Sequence, residues 1–199
     1  MKVGFLGLGK LGLPVALAIE SKGHDVCGTD ISNNTLENIK NKKINYKEIW
    51  VDDYLKNTKL KVLDLRGVVQ NSDIIFVPIQ TPHEEKYEGI TRIPKERADF
   101  NYEYLIKGMK DLSNEIEKQG NDKIVIIIST VLPGTVRKEI KPTLSKKVKL
   151  CYNPFFIAMG STMRDFLHPE FVLFGVDDIE AYKACKQFYK SITNAPLYD

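Results

Sequence analysis

Apolar and polar positions fall into blocks along this chain. Short continuous apolar runs alternate with longer stretches in which apolar residues recur every three or four positions. The runs are Lys2–Leu6, Val26–Thr29, Leu60–Leu63, Asp73–Val77, Lys123–Ile128, Val148–Tyr152 and Phe171–Phe174, with a last short one at Ala195–Tyr198. Runs without in-out alternation are the pattern of strands buried on both faces, as in parallel sheets. Between them, Leu11–Ser21, Ser32–Lys43, Phe100–Gln119, a segment opened by Pro133-Gly134-Thr135, and Asp177–Ser191 have the helical period. Strand and helix alternate from end to end, which predicts an α/β fold with a doubly wound, mostly parallel sheet.

The first helix carries Leu11, Val15, Ala18 and Ile19 at helical spacing, with Gly12 and Ala16 as small residues toward the sheet. Pro14 sits in the first turn, where its missing N–H has no intrahelical partner. Lys22-Gly23 closes the helix, and His24 is expected as a surface turn residue. The Phe100–Gln119 helix places Tyr104, Leu105, Met109, Leu112 and Ile116 on one face. Asn45–Lys59 and Asn153–Phe166 read as irregular, the former anchored by Trp50 and Tyr54. Pro78–Asp99 has no apolar period; it follows a strand's carboxyl end, where open α/β sheets bind ligands.

Composition narrows the class. The 199 residues are 43% hydrophobic, enough for the core of one large domain or two small ones. A net charge of +3 from interspersed Lys and Glu is not the basic patch that nucleic acid requires. Three cysteines without a CxxC pair read as buried thiols in a reducing compartment. No apolar run is long enough to span a membrane, the amino terminus reads as a strand rather than a signal peptide, and no metal site is expected. The expectation is a cytoplasmic protein without nucleic-acid or membrane partners.

Candidate chemistry is concentrated in the first thirty residues. The first run leads directly into Gly7-Leu8-Gly9-Lys10-Leu11-Gly12, a helix follows, and the second run ends on Thr29-Asp30-Ile31. In that context Gly7 makes the tight turn, Gly9 admits a pyrophosphate against the backbone, and Gly12 allows close helix packing. The helix amino terminus offers unpaired N–H groups to the phosphates. Asp30, eighteen residues after Gly12, is placed to bind a ribose 2′-hydroxyl, and its charge disfavours a 2′-phosphate. The expected cofactor is NAD, in a Rossmann-like domain.

Five segments in order resemble the UDP-glucose/GDP-mannose dehydrogenase family over nearly the whole chain. Gly7–Pro14 is similar to its GLGYVGLP opening, and Val77-Pro78-Ile79-Gln80-Thr81-Pro82 to its VPTP segment with two residues added. Asp99-Phe100-Asn101-Tyr102 matches the start of the next helix, and Ser129–Thr135 resembles STVPPGT. Tyr152–Gly160 stands where the family has NPEFLxEG, with Asp165-Phe166, Pro169 and Gly175 following in order. The resemblance implies an enzyme of polysaccharide biosynthesis that oxidises the C6 alcohol of a nucleotide sugar to a carboxylate, with two NAD and a thioester intermediate. Pro78, Thr81 and Thr130 would lie on the cofactor side, Thr130 also near the reacting carbon. Asn153, Phe155, Phe156, Ile157, Ala158 and Met159 would line the sugar-nucleotide pocket.

The chain departs from that pattern. Phe155 and Met159 replace glutamates, and Phe171 replaces an arginine. Phenylalanine cannot move a proton or orient a water. Either the site serves another nucleotide sugar or oxidation level, or it relies on groups elsewhere, or Phe155, Phe156 and Met159 simply pack in a core. The family's nucleophilic cysteine, catalytic lysine, dimer-building central helix and substrate domain follow the first domain. The resemblance therefore makes residues 1–199 an NAD-binding domain, cut from a longer enzyme or naturally short, inactive alone and homodimeric in its full-length form. The alternative is a non-catalytic nucleotide or nucleotide-sugar binding module that kept the fold.

Overall fold

The structure is a computed structural model that describes residues 1–199. Seven strands form the main sheet. In chain order they are β1 (Lys2–Leu6), β2 (Asp25–Thr29), β3 (Lys61–Val62), β4 (Ile74–Val77), β5 (Lys123–Ile127), β6 (Val148–Tyr152) and, beyond the two-residue strand β7 (Val172–Leu173), β8 (Gly175–Val176). Their spatial order is β3-β2-β1-β4-β5-β6-β8, and every pair is parallel except β6–β8. The order reverses between β1 and β4, leaving a crevice at their carboxyl ends.

The continuous apolar runs place side chains on both faces of the sheet. Val3, Phe5, Phe76 and Ile126 face one core, with helix α1 (Gly12–Ser21) and, further along the chain, α6 (Thr162–Leu167) and α7 (Ile179–Ile192). Ile75, Val77, Val125 and Ile127 face the other, under α5 (Glu103–Gln119). The Phe5 and Phe76 rings stack at 5.3 Å between centroids, and Phe76 meets Phe188 of α7 at 5.5 Å. Burying each such ring is worth about 1.5–3 kcal/mol. On α5, Leu105, Met109, Leu112 and Ile116 are buried at helical spacing, but Tyr104 is 55% exposed and Tyr102 is buried instead.

Several sequence expectations are corrected. Asn45–Lys59 contains a helix, α3 (Val51–Asn57), anchored by fully buried Val51 and Leu55; Trp50 and Tyr54 stay on the surface. Helix α2 spans Asn33–Lys40 with Ser32 as its cap, and a short α4 (Leu65–Gln70) capped by Asp64 precedes β4. The Asn153–Phe166 stretch ends in α6, whose Met163, Phe166 and Leu167 form a one-sided i, i+3, i+4 face. The expected helix after Thr135 is a π-helical turn (Val136–Ile140) and a 3-10 turn (Lys141–Thr143). The expected Phe171–Phe174 strand divides: Val172–Leu173 pairs with β9 (Leu197–Tyr198), while Gly175–Val176 pairs antiparallel with β6. His24 is buried, its ring 5.4 Å from that of Phe188 and its Nε2 2.9 Å from Ser191 Oγ, because the end of α7 covers the α1–β2 turn. All three cysteines are buried free thiols, and no helix is long and apolar enough to cross a membrane.

Candidate functional site

β1 leaves the sheet through Gly7, whose φ of +121° is open to glycine and strained for other residues; its N–H donates to the Thr29 carbonyl at 2.8 Å. A Cβ on Gly12 would lie 2.2 Å from the Gly7 carbonyl oxygen, so α1 begins directly against the turn. A Cβ on Gly9 would meet nothing within 4 Å, so the loop's outer side faces open space. The N–H groups of Gly9, Lys10, Leu11 and Gly12 make no backbone hydrogen bond. Those of Leu11 and Gly12 open α1, with its partial positive charge, and those of Gly9 and Lys10 belong to the loop that leads into it. Pro78, at the end of β4, forms the facing lip, its ring carbon 2.9 Å from that same Gly12 Cβ position.

Asp30 closes the second side. Its Oδ2 accepts the Leu8 N–H at 2.7 Å and its Oδ1 the Ser32 N–H at 2.9 Å. A carboxylate has about four acceptor positions, so two remain for ribose hydroxyls. Leu8, expected at the cofactor, turns its side chain into the core over Gly28 and gives its N–H to Asp30; it fixes the loop. Ile31 is 96% exposed beside Asp30, and Lys10 is exposed at the loop tip. Open space over Gly9, four free N–H donors and an acid at the end of β2 together fit a dinucleotide.

The segments after β4, β5 and β6 meet at the same end of the sheet. Thr81 Oγ1 donates to the Thr130 carbonyl at 2.7 Å, tying the Pro78–Asp99 loop to the end of β5, and Thr130 itself is exposed. Ser129 is buried and donates to the Val77 carbonyl at 3.1 Å. Tyr102 donates to Asp99 and accepts the Leu132 N–H at 3.1 Å; burial, with the Asp99 carboxylate, pushes its hydroxyl above the ordinary range.

Asn153 is 1% exposed: its amide donates to the Leu173 carbonyl at 2.8 Å and its Oδ1 accepts from Tyr189. Its side chain therefore holds the root of the following loop, beside a cavity that Asn153 helps to line. Phe155 turns inward onto Phe166, at 5.4 Å between centroids. Phe156 and Met159 point out, 59% and 65% exposed, so core packing accounts for Phe155 alone among the three. Ile157 is half-buried and Ala158 exposed. Phe171 lies 4.9 Å from Phe156 and 6.1 Å from Tyr198, in an aromatic row over a cavity of about 460 Å³ that Phe155, Phe156, His168 and Phe171 help to line.

Matching against known families decides the assignment. The model of the UDP-glucose/GDP-mannose dehydrogenase family, NAD-binding domain, matches residues 1–193. The chain belongs to this family. The fold is the family's cofactor domain, and its cofactor is NAD. UDP-N-acetyl-D-mannosamine dehydrogenase of Methanococcus maripaludis is 26% identical over 198 residues, covering 99% of this chain and 44% of its own length. UDP-glucose 6-dehydrogenase of Rickettsia prowazekii is 28% identical over 207 aligned positions, covering 100% and 43%. The crystal structure of a ternary complex of GDP-mannose dehydrogenase from Pseudomonas aeruginosa superposes with a TM-score of 0.87 at 22% identity, covering 100% of this chain and 46% of that one, which shows a shared fold. The chain spans less than half the length of these relatives.

Three contacts that join distant segments at this end of the family domain have no local sequence signal. Tyr189 reaches Asn153 from α7, Tyr102 bridges Asp99 to the loop after β5, and the buried Glu48 bonds the Gly160 and Thr162 backbone. Glu48 and its partners lie 112 and 114 positions apart. Such pairings exist only once the sheet has brought the segments together.

Proposed function

We propose that this domain is the cofactor half of a dehydrogenase that oxidises the C6 alcohol of a nucleotide sugar, with residues 1–199 acting as one NAD-binding unit. The observation that carries the reading is the Thr81–Thr130 contact past the carboxyl ends of β4 and β5. It ties the loop after β4 to the end of β5, one strand along from the β1–β4 crevice, where Thr130 is exposed. Gly9, Lys10, Leu11 and Gly12 hold the pyrophosphate through their N–H groups, Asp30 binds the adenine-side ribose, and Ile31 and Pro78 supply apolar walls. NAD, when bound, supplies the hydride acceptor. Thr130 bonds the reacting hydroxyl or its water, and the Phe155–Met159 segment packs on the sugar nucleotide and excludes water.

The domain does not turn over by itself. Phe155 and Met159 offer no proton acceptor, and Cys27, Cys151 and Cys185 are all buried. A hydrogen bond with Cys185, together with burial, pushes the Cys151 thiol far above its ordinary range, opposite to what a nucleophile needs. A second reading, a non-catalytic nucleotide-sugar binding module, is favoured by the apolar residues at 155, 159 and 171. Calorimetry with UDP-glucose and UDP-N-acetyl-D-mannosamine, with and without NAD, separates the two. Tighter sugar-nucleotide binding to the NAD-loaded protein supports the dehydrogenase reading, and binding indifferent to NAD supports the module. NADH formation by this chain alone contradicts the assignment of the missing base and thiol.

A further inference from the structure

Glu48 lies between α2 and α3 and is only 9% exposed. Its Oε2 accepts the Gly160 N–H at 2.9 Å and the Thr162 hydroxyl at 3.3 Å, and its Oε1 accepts the Thr162 N–H at 2.5 Å. The adjacent Ile49 N–H donates to the Gly160 carbonyl at 2.9 Å. From the other side, Asp165 accepts the Ser161 hydroxyl at 2.7 Å and the Ala158 N–H at 3.2 Å. Burial works against the Asp165 carboxylate, but these bonds and Arg164 outweigh it and hold the group below the usual carboxylate range. Two carboxylates thus hold the turn Ala158–Thr162, Glu48 through Gly160 and Thr162 and Asp165 through Ala158 and Ser161. The turn carries Met159 out into solvent, and Phe156, two residues before it, is exposed as well.

Three donors converge on Glu48, so the position calls for a group that only accepts. A carboxylate does this with charge-assisted bonds; an amide of the same shape turns its NH2 toward an N–H and leaves a buried donor unpaired. The surroundings are tensioned as well. Trp50, two residues on, has a left-handed backbone with φ of 70°, and its ring stands edge-on to His168 at 6.4 Å. Strained non-glycine backbone persists where surrounding contacts over-determine it. Fixing an exposed apolar tip in advance lowers the entropic cost of binding.

We propose that Glu48 is a positioning residue for nucleotide-sugar recognition, holding the Phe155–Gly160 loop in its binding geometry before the ligand arrives. This rests on the reading of that loop as the sugar-nucleotide site. Glu48 touches neither ligand. Its side-chain hydrogen bonds go to Gly160 and Thr162 and none to the glycine loop, so its influence falls on one ligand only.

The test compares Glu48→Gln with the wild-type chain, titrating NAD first and then UDP-glucose and UDP-N-acetyl-D-mannosamine into NAD-saturated protein. Binding is followed by calorimetry and by the fluorescence of Trp50, the single tryptophan. Hydrogen exchange of the Gly160 and Thr162 amides is measured alongside. The expected result is sugar-nucleotide affinity about tenfold weaker, exchange at both amides about tenfold faster, and NAD affinity within about twofold of wild type. Thr162→Val, which removes one donor and keeps the carboxylate, shifts the same two readouts less and decides the matter if Glu48→Gln fails to fold. Unchanged exchange, unchanged sugar-nucleotide affinity, or a parallel fall in NAD affinity overturns the proposal. Wild-type protein that binds NAD and neither sugar nucleotide overturns the underlying reading of the loop, an outcome visible before any variant is made.

Discussion

The Asp30 carboxylate accepts the Leu8 N–H at 2.7 Å, so the acid that ends β2 also fastens the glycine loop that ends β1. One side chain joins the two halves of the cofactor site. It draws the loop toward β2 and keeps two acceptor positions free. Asp30→Asn keeps the shape and loses the charge. It is expected to lower unfolding stability by about 1 kcal/mol through the weakened Leu8 and Ser32 bonds. Urea denaturation with hydrogen exchange at the Leu8 amide checks this: the amide exchanges faster, while the β5 amides change only as far as global stability does.

Gly12→Ala tests the contact between helix and turn. The added carbon would lie 2.2 Å from the Gly7 carbonyl oxygen, and backbone must move to admit it. The expected cost is about 1–3 kcal/mol of stability with at least about tenfold weaker NAD binding, read by denaturation and calorimetry. Gly9→Ala meets open space in the protein alone. It therefore weakens NAD while sparing stability.

The sheet was legible because its signal is local and repeated. Ile124–Ile127 and Ile74–Val77 are continuous β-branched or aromatic runs, and Gly7–Gly12 lies between a strand and a helix. The short helices were not. α3 and α6 each bury only one narrow stripe, Val51 with Leu55 and Met163 with Phe166 and Leu167, too brief for a period to stand out. Trp50 and Tyr54 are the larger side chains, but the helical period turns Val51 and Leu55 inward. The Phe171–Phe174 run divides because Val172–Leu173 finds β9 and Gly175–Val176 finds β6, a choice made by tertiary pairing. At the site, Asp30 was legible as an acid at a strand end, and its bond to Leu8 was not. Glu48 and Tyr189 reach the Asn153–Thr162 stretch only through the folded sheet.

His24 makes stability depend on pH. Burial lowers its pKa below the ordinary value of 6.5, and the nearby amino-terminal charge adds to this, so the folded state prefers the neutral ring. The unfolded chain takes up the proton first as pH falls through about 6.5. The His24 contribution is therefore complete above that pH, declines below it, and levels off once pH passes the lowered folded value. Urea midpoints at about pH 7.5 and 5.5 are expected to show this loss in wild type and a smaller one in His24→Gln.

Lys42 follows the end of α2 with φ of 58°, while Lys43 N–H closes back on the Asn38 carbonyl at 2.8 Å. This is the helix-ending position that glycine fills without strain. Lys42→Gly gives up an exposed bond from Nζ to the Thr58 carbonyl. A net gain of about 0.5–1 kcal/mol is expected in chemical denaturation, with NAD affinity unchanged.

The most direct measurement is the titration of the purified chain with NAD and with NADP under identical conditions. A crevice closed by the Asp30 carboxylate binds one NAD per chain and binds NADP at least about tenfold more weakly, a difference that narrows in Asp30→Asn. Equal affinity for the two dinucleotides, or no binding of NAD, would contradict the account.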